Sequence, residues 1–158
     1  MVTAMVTNRM IRDLLIVCLL MGWGWMPAAR AGSCLTVLER NDLFPPQQRH
    51  VHSSTLVESP AGGLLAAWFH GSGERTADDV ELQAAWRPAG AAAWGPVFPL
   101  VDTPGFPDCN PVLYRDGTDR LWLFWIVVRA ARWEESLTMY QRSVDWPEGA
   151  EPRWERQG

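Results

Sequence analysis

The 158-residue chain reads as all-β, with about two four-stranded antiparallel blades of a β-propeller following an N-terminal signal segment. Two observations predict this. Short apolar or alternating runs are separated by Pro/Gly turns, and the whole plan recurs 56 residues later. The ten Trp residues are a third, because sheets stacked face to face need large apolar side chains between them.

Residues 1–31 have the layout of a secretory signal peptide. Arg9 and Arg12 are basic, Leu14–Met26 is an apolar stretch of thirteen residues, and Ala29-Arg30-Ala31 fits a small-x-small cleavage site. The stretch is too short for a stable membrane span. The competing reading is a buried N-terminal helix. Residues 1–9 add nothing to the layout, so Met10 also fits as the start. The expected location is secreted or periplasmic. "AGSC" before Leu35 also allows lipoprotein anchoring at Cys34, although Ala31 stands where such sites carry a larger aliphatic residue.

Residues 32–51 read as a linker, ending in the extended "FPPQQRH". From residue 52 on, strands follow one another. "STLVES" runs into the turn "PAGG", and "LLAAWF" is a buried strand. "VELQAAW" alternates, with Val80, Leu82, Ala84 and Trp86 on one face. "WGPVFPLV" is an edge strand, because Pro99 removes a ladder donor. Residues 55–69 then overlie 111–125 without a gap. Leu56 falls on Val112, the turn "SPAGG" on "RDGTD", and Leu65 on Leu121. A repeat of this length, built of four short strands, marks a propeller blade; a small β-sandwich with accidental similarity is the rival. The blades would run about 52–107 and 108–158. Leu65, Trp68, Leu82 and Trp86 are expected to face the neighbouring blade.

Without residues 1–31 the chain carries 11 Arg against 17 Asp plus Glu, a net charge of −6. That balance argues against a nucleic-acid partner. There is no Lys, which excludes lysine Schiff-base chemistry. Cys34 and Cys109 could pair in an oxidising compartment, or stand as separate thiols. No Cys-x-x-Cys or His cluster suggests a metal, and no cofactor is expected.

"HSSTLVESPAGGLLAAWFHGSGERTADDVELQAAWR" and "DCNPVLYRDGTDRLWLFWIV" resemble the sialidase-like BNR-repeat proteins, the predicted neuraminidases of bacteria. The matching elements are His52, the "LLAAWF" strand, Gly71 and Gly73 with Glu74, the Asp79-Val80 pair and Asn110-Pro111-Val112-Leu113. Trp133 with Ser136-Leu137, and Pro152-Arg153-Trp154, match as well. The resemblance implies a partial six-bladed β-propeller, a glycan substrate and exo-hydrolysis of terminal sialic acid. In that family an Arg cluster holds the sugar carboxylate, an Asp is acid/base, and a Glu-activated Tyr is the nucleophile. The Arg-Ile-Pro segment is missing here. The Asp-box survives only as a trace, with Ser143, Asp145, Gly149 and Trp154 too widely spaced. About two blades fit in residues 52–158, so the chain is expected to be incomplete.

The polar loop 70–79 is the best candidate site. Glu74, Asp78 and Asp79 are the candidate catalytic carboxylates, and Arg75 could hold a substrate carboxylate. The competing role for Arg75 is a hairpin ion pair with Asp78 or Asp79. His52, Asp108 and Asn110 are candidate substrate contacts, each with a structural alternative. The leading function is a secreted sialidase-like glycoside hydrolase. The alternatives are a non-catalytic carbohydrate-binding module and an inactive truncated remnant.

Overall fold

Two antiparallel sheets share one core. The computed structural model describes residue 40 and residues 42–155; the signal segment, its cleavage site and Cys34 lie outside the described residues. The first sheet has four strands in the order β1 (His50–Glu58), β2 (Leu64–Gly71), β3 (Glu81–Arg87) and β4 (Phe98–Val101). The second has β5 (Asp108–Arg115), β6 (Leu121–Arg129) and β7 (Arg132–Ser143). This is the expected all-β plan, consistent with a partial propeller, except that the second sheet has three strands among the described residues where the sequence predicts four. β1 starts at His50, so the end of the presumed linker is already strand.

Each sheet is a meander, and the turn joining its first two strands is short and chemically explicit. Between β1 and β2, Ser59 Oγ accepts hydrogen bonds from the N–H groups of Ala61 and Gly63. Between β5 and β6, Asp116 Oδ1 accepts from Thr118 and Arg120 N–H. Gly62 and Asp119 take the positive-φ corner of these two turns, at 94° and 61°. The turns are one device, an oxygen side chain folding the next four residues back on themselves.

These bonds correct the repeat spacing. Ser59 corresponds to Asp116 and Gly62 to Asp119, which sets the first two strands 57 residues apart. Leu64 then matches Leu121, and Trp68 matches Trp125, like on like. β3 and β7 correspond at 56, since Trp68 pairs with Gln83 and Trp125 with Met139. A sequence alignment one residue out preserved the hydrophobic run but exchanged its two faces.

The shared core contains Leu65, Phe69, Leu82 and Trp86 from the first sheet and Leu113, Leu121, Leu123 and Trp125 from the second. Three of the four residues expected at this interface are there. Trp68 is not. It lies three residues from Leu65, an odd spacing, and strand side chains alternate with period two. It packs on the opposite face with Ala66 and Ala85, under Leu43 and Phe44. The Phe44 and Trp68 rings are 5.0 Å apart.

Polar contacts fasten the sheets where the core ends. The Glu148 carboxylate accepts from Ser59 Oγ, from Gly63 N–H at 2.6 Å and from Ala89 N–H at 2.8 Å. These bonds hold the Glu148 carboxyl below the usual glutamate range, the Ser59 hydroxyl contributing most. The Asp-box trace folds as a tight corner in the same region. Asp145 bridges to Arg153, and the buried Ser143 hydroxyl donates to Arg153 O at 2.6 Å. Trp146 projects from that corner, stacks on Trp86 at 6.0 Å and donates to Asp119 O at 2.8 Å.

Candidate functional site

β1 and the β2–β3 loop meet at one end of the first sheet. His50 and His52 are alternate residues of β1, so both point to the same side. β1 pairs His50 with Gly71 and His52 with Phe69, which brings both histidines beside the loop that leaves β2. Glu74 lies in that loop. Its Oε1 is 3.3 Å from His50 Nε2 and 3.3 Å from His52 Nδ1. Both imidazoles rest on the fully buried Phe69 ring, His50 stacked and His52 edge-on, each 5.6 Å away.

Asp79 closes the same loop. Its Oδ1 accepts from Ser72 N–H at 3.0 Å and from Ser72 Oγ at 2.8 Å, and its Oδ2 pairs with Arg49 at 3.1 Å. The Ser72 bonds, with help from Arg49, hold the Asp79 carboxyl below the usual range. Such a group stays ionised and suits loop fastening or base chemistry better than proton donation. The loop also needs Gly71, because a Cβ there would run into the Val80 backbone at 2.8 Å.

The other expected residues divide. Asp78 is exposed in the same loop. Arg75 pairs with neither loop aspartate among the described contacts; its guanidinium sits over the Trp133 ring, 5.8 Å from the centroid, and so reaches the second sheet. Asn110 is exposed on β5 at φ 52°, within a bulge between Cys109 and Val112. Ser53 takes the same position in the β1 bulge at φ 56°.

Asp108 is fully buried and clamps two segments. It accepts from Thr103 N–H at 2.6 Å, Thr103 Oγ1 at 2.8 Å and Trp125 Nε1 at 2.7 Å. Burial pushes its carboxyl above the ordinary value, against the pull of those bonds. Cys109 beside it is also fully buried. Its thiol is pushed up to about 12, mainly by burial and then by the carboxylates of Glu74 and Asp108.

The BNR repeat-like domain profile matches residues 62–157. The chain belongs to that family. No curated protein matches it. The matched span covers β2 to β7, so the BNR repeat-like unit contains the charged loop and the Arg75–Trp133 contact, while His50 and His52 stand just ahead of it. Among the described residues, no helix is long and apolar enough to cross a membrane.

His50 was missed in the sequence because it closes a Pro/Gln-rich run that reads as linker. The signal was present all the same. His-x-His entering a strand puts two imidazoles on one face.

Proposed function

We propose that this BNR repeat-like chain serves a secreted sialidase-like glycoside hydrolase acting on terminal sialic acid or a related acidic sugar. The supporting observation is the gathering of Glu74, His52 and Arg75 in and around one exposed loop. Glu74 is the carboxylate best suited to catalysis, since its oxygen faces the imidazoles, whereas Asp79 is committed to Ser72 and Arg49. Arg75 supplies the cation that an anionic sugar requires, by a bidentate grip on its carboxylate. Asp78 and Asn110 are candidate partners for sugar hydroxyls. Asp108 acts from below, positioning Thr103 and Trp125.

The test is release of fluorophore from an α-sialoside by the chain as expressed, with a neutral glycoside as control. Glu74→Gln should reduce the rate by about 10²–10⁴, the usual contribution of a positioned acid or base. Equal rates in Glu74→Gln and wild type would remove this loop from catalysis.

A second reading has its own support. Trp133 is 38% exposed under the Arg75 guanidinium, an aromatic platform of the kind that sugar rings stack on. A carbohydrate-binding module would hold sialic acid without cleaving it. Calorimetric binding that is lost in Trp133→Ala, with no hydrolysis in wild type, favours this reading.

A further inference from the structure

His50 and His52 bring two imidazoles to one carboxylate oxygen of Glu74, a convergence that a single ion pair does not require. One ligand atom from each, two imidazole nitrogens and a carboxylate oxygen, lie within 4.8 Å of one another. The two nitrogen-to-oxygen separations are both 3.3 Å. A tetrahedral zinc ion with bonds of about 2.0–2.2 Å holds its ligand atoms about 3.3–3.5 Å apart. The two nitrogen–oxygen edges of the cluster therefore match those of a zinc coordination tetrahedron.

We propose that these three side chains form a binding site for a divalent transition-metal ion, zinc by preference. Two imidazoles and one carboxylate are a donor set of three-ligand zinc sites, in which the fourth position goes to water or substrate. Imidazole selects zinc and its neighbours over calcium or magnesium, which prefer an all-oxygen shell.

The scaffold argues for the same assignment. β1 fixes the spacing of the two histidines, because alternate strand residues share a face. The Phe69 ring supports both imidazoles, parallel to His50 at 0° and nearly perpendicular to His52 at 78°. Phe69 is fully buried, so this support is part of the core. Glu74 comes from a loop whose ends are closed by the Asp79–Ser72 bonds. Arg49, the nearby cation on the approach to β1, is paired with Asp79. An ion here would tie the first strand to the loop between the second and third. The inference concerns metal binding alone, and it competes with the glycan reading for Glu74 and His52, because a Glu74 oxygen bound to an ion is not free to act as acid or base.

The experiment uses the full chain, stripped with a chelator and titrated with zinc chloride by calorimetry, with the melting temperature followed in parallel. One equivalent should bind and the melting temperature should rise. His50→Ala, His52→Ala and Glu74→Gln should each weaken zinc binding at least about a hundredfold, the upper end of the loss of even an outer-shell partner. All three side chains are partly exposed, and circular dichroism checks that each variant keeps its sheet. His70→Ala, outside the cluster, should bind as wild type does. Cobalt(II) should show the visible spectrum of a four-coordinate ion, absent in His52→Ala. Substoichiometric binding, or wild-type affinity in the His50 and His52 variants, would overturn the site. Zinc binding without sialoside cleavage leaves this inference intact, and cleavage without zinc binding removes it alone.

Discussion

In the first sheet Leu65, Ala67, Phe69, Ala84 and Trp86 are buried against the second sheet. The corresponding residues of the second sheet include Trp122, Phe124, Tyr140 and Arg142, and these lie on its outer face. Trp122 and Phe124 are half-buried and stack at 6.0 Å, Arg142 sits 5.7 Å over Trp122, and Tyr140 is 48% exposed. The first sheet fills its covered face with small residues as well as large ones. The second puts aromatic rings at the same places and lets them cover each other. Two copies of one unit thus differ most on the face that the shared core covers in the first sheet and, among the described residues, not in the second. Between them the turns are conserved in geometry and changed in chemistry, Ser59 with Glu148 in one copy and Asp116 with Trp122 Nε1 in the other.

The comparison breaks if burial does not set the cost of substitution. Trp86→Ala, in the shared core, should lose about 3–5 kcal/mol of stability. Tyr114→Ala, on the 55% exposed outer position, should stay within about 0.5 kcal/mol. Chemical denaturation of the two variants reads this difference directly, and similar losses would contradict the assignment of faces.

The Asp108 clamp should come next. Asp108→Asn loses one of two acceptor oxygens, leaving a Thr103 donor unpaired at a cost of about 1–3 kcal/mol at neutral pH. The pH dependence has a definite sign. Burial raises the native Asp108 carboxyl above 3.8, so its ionisation opposes folding as pH rises from that value through the raised one. The variant lacks this loss. Its deficit relative to wild type should therefore be larger at low pH than at neutral pH, as melting at several pH values would show.

A smaller gain is expected at the β6–β7 turn. Ala130 and Ala131 both have positive φ, 49° and 54°, in a two-residue hairpin that favours Asn-Gly. The double change Ala130→Asn and Ala131→Gly should stabilise the second sheet by about 1 kcal/mol. Thermal unfolding would measure it.

The smallest effect sharpens the contrast between turns. The Trp122 and Thr118 hydrogen bonds hold the Asp116 carboxyl well below the usual range. Asp116 therefore contributes stability above the ordinary aspartate value, and that contribution is lost as pH falls toward its native one. Asp116→Asn should flatten the loss of melting temperature on acidification, measured from pH 5 downward.

Much of this is legible in the sequence. Strand identities follow from Pro/Gly punctuation, and Pro99 marked β4 as an edge. The alternation in Val80–Trp86 assigned its faces correctly. "LWLFWIVV" and "LLAAWF" did not disclose theirs, because a continuous apolar run has no period to read. A repeat alignment on such runs is free to slip by one residue, while the odd spacing of Leu65 and Trp68 by itself places them on opposite faces. The hydrogen bonds of Ser59 and Asp116 and the matching bulges at Ser53 and Asn110 pin the register. At the candidate site, Glu74 and His52 were visible as residue types in a charged loop. Their convergence with His50 depends on strand pairing, and the burial of Asp108 depends on how β5 meets β6 and Thr103.

The central claim is that the two sheets are copies of one unit fused by a single core. Native-state hydrogen exchange tests it most directly, comparing wild type with Trp86→Ala. The account predicts that the slowest amides of β3 and β6, including Ala84 and Leu123, exchange with one common free energy, and that Trp86→Ala lowers both equally. If Leu123 kept its protection while Ala84 lost it, the sheets would be independent and the shared core would be refuted.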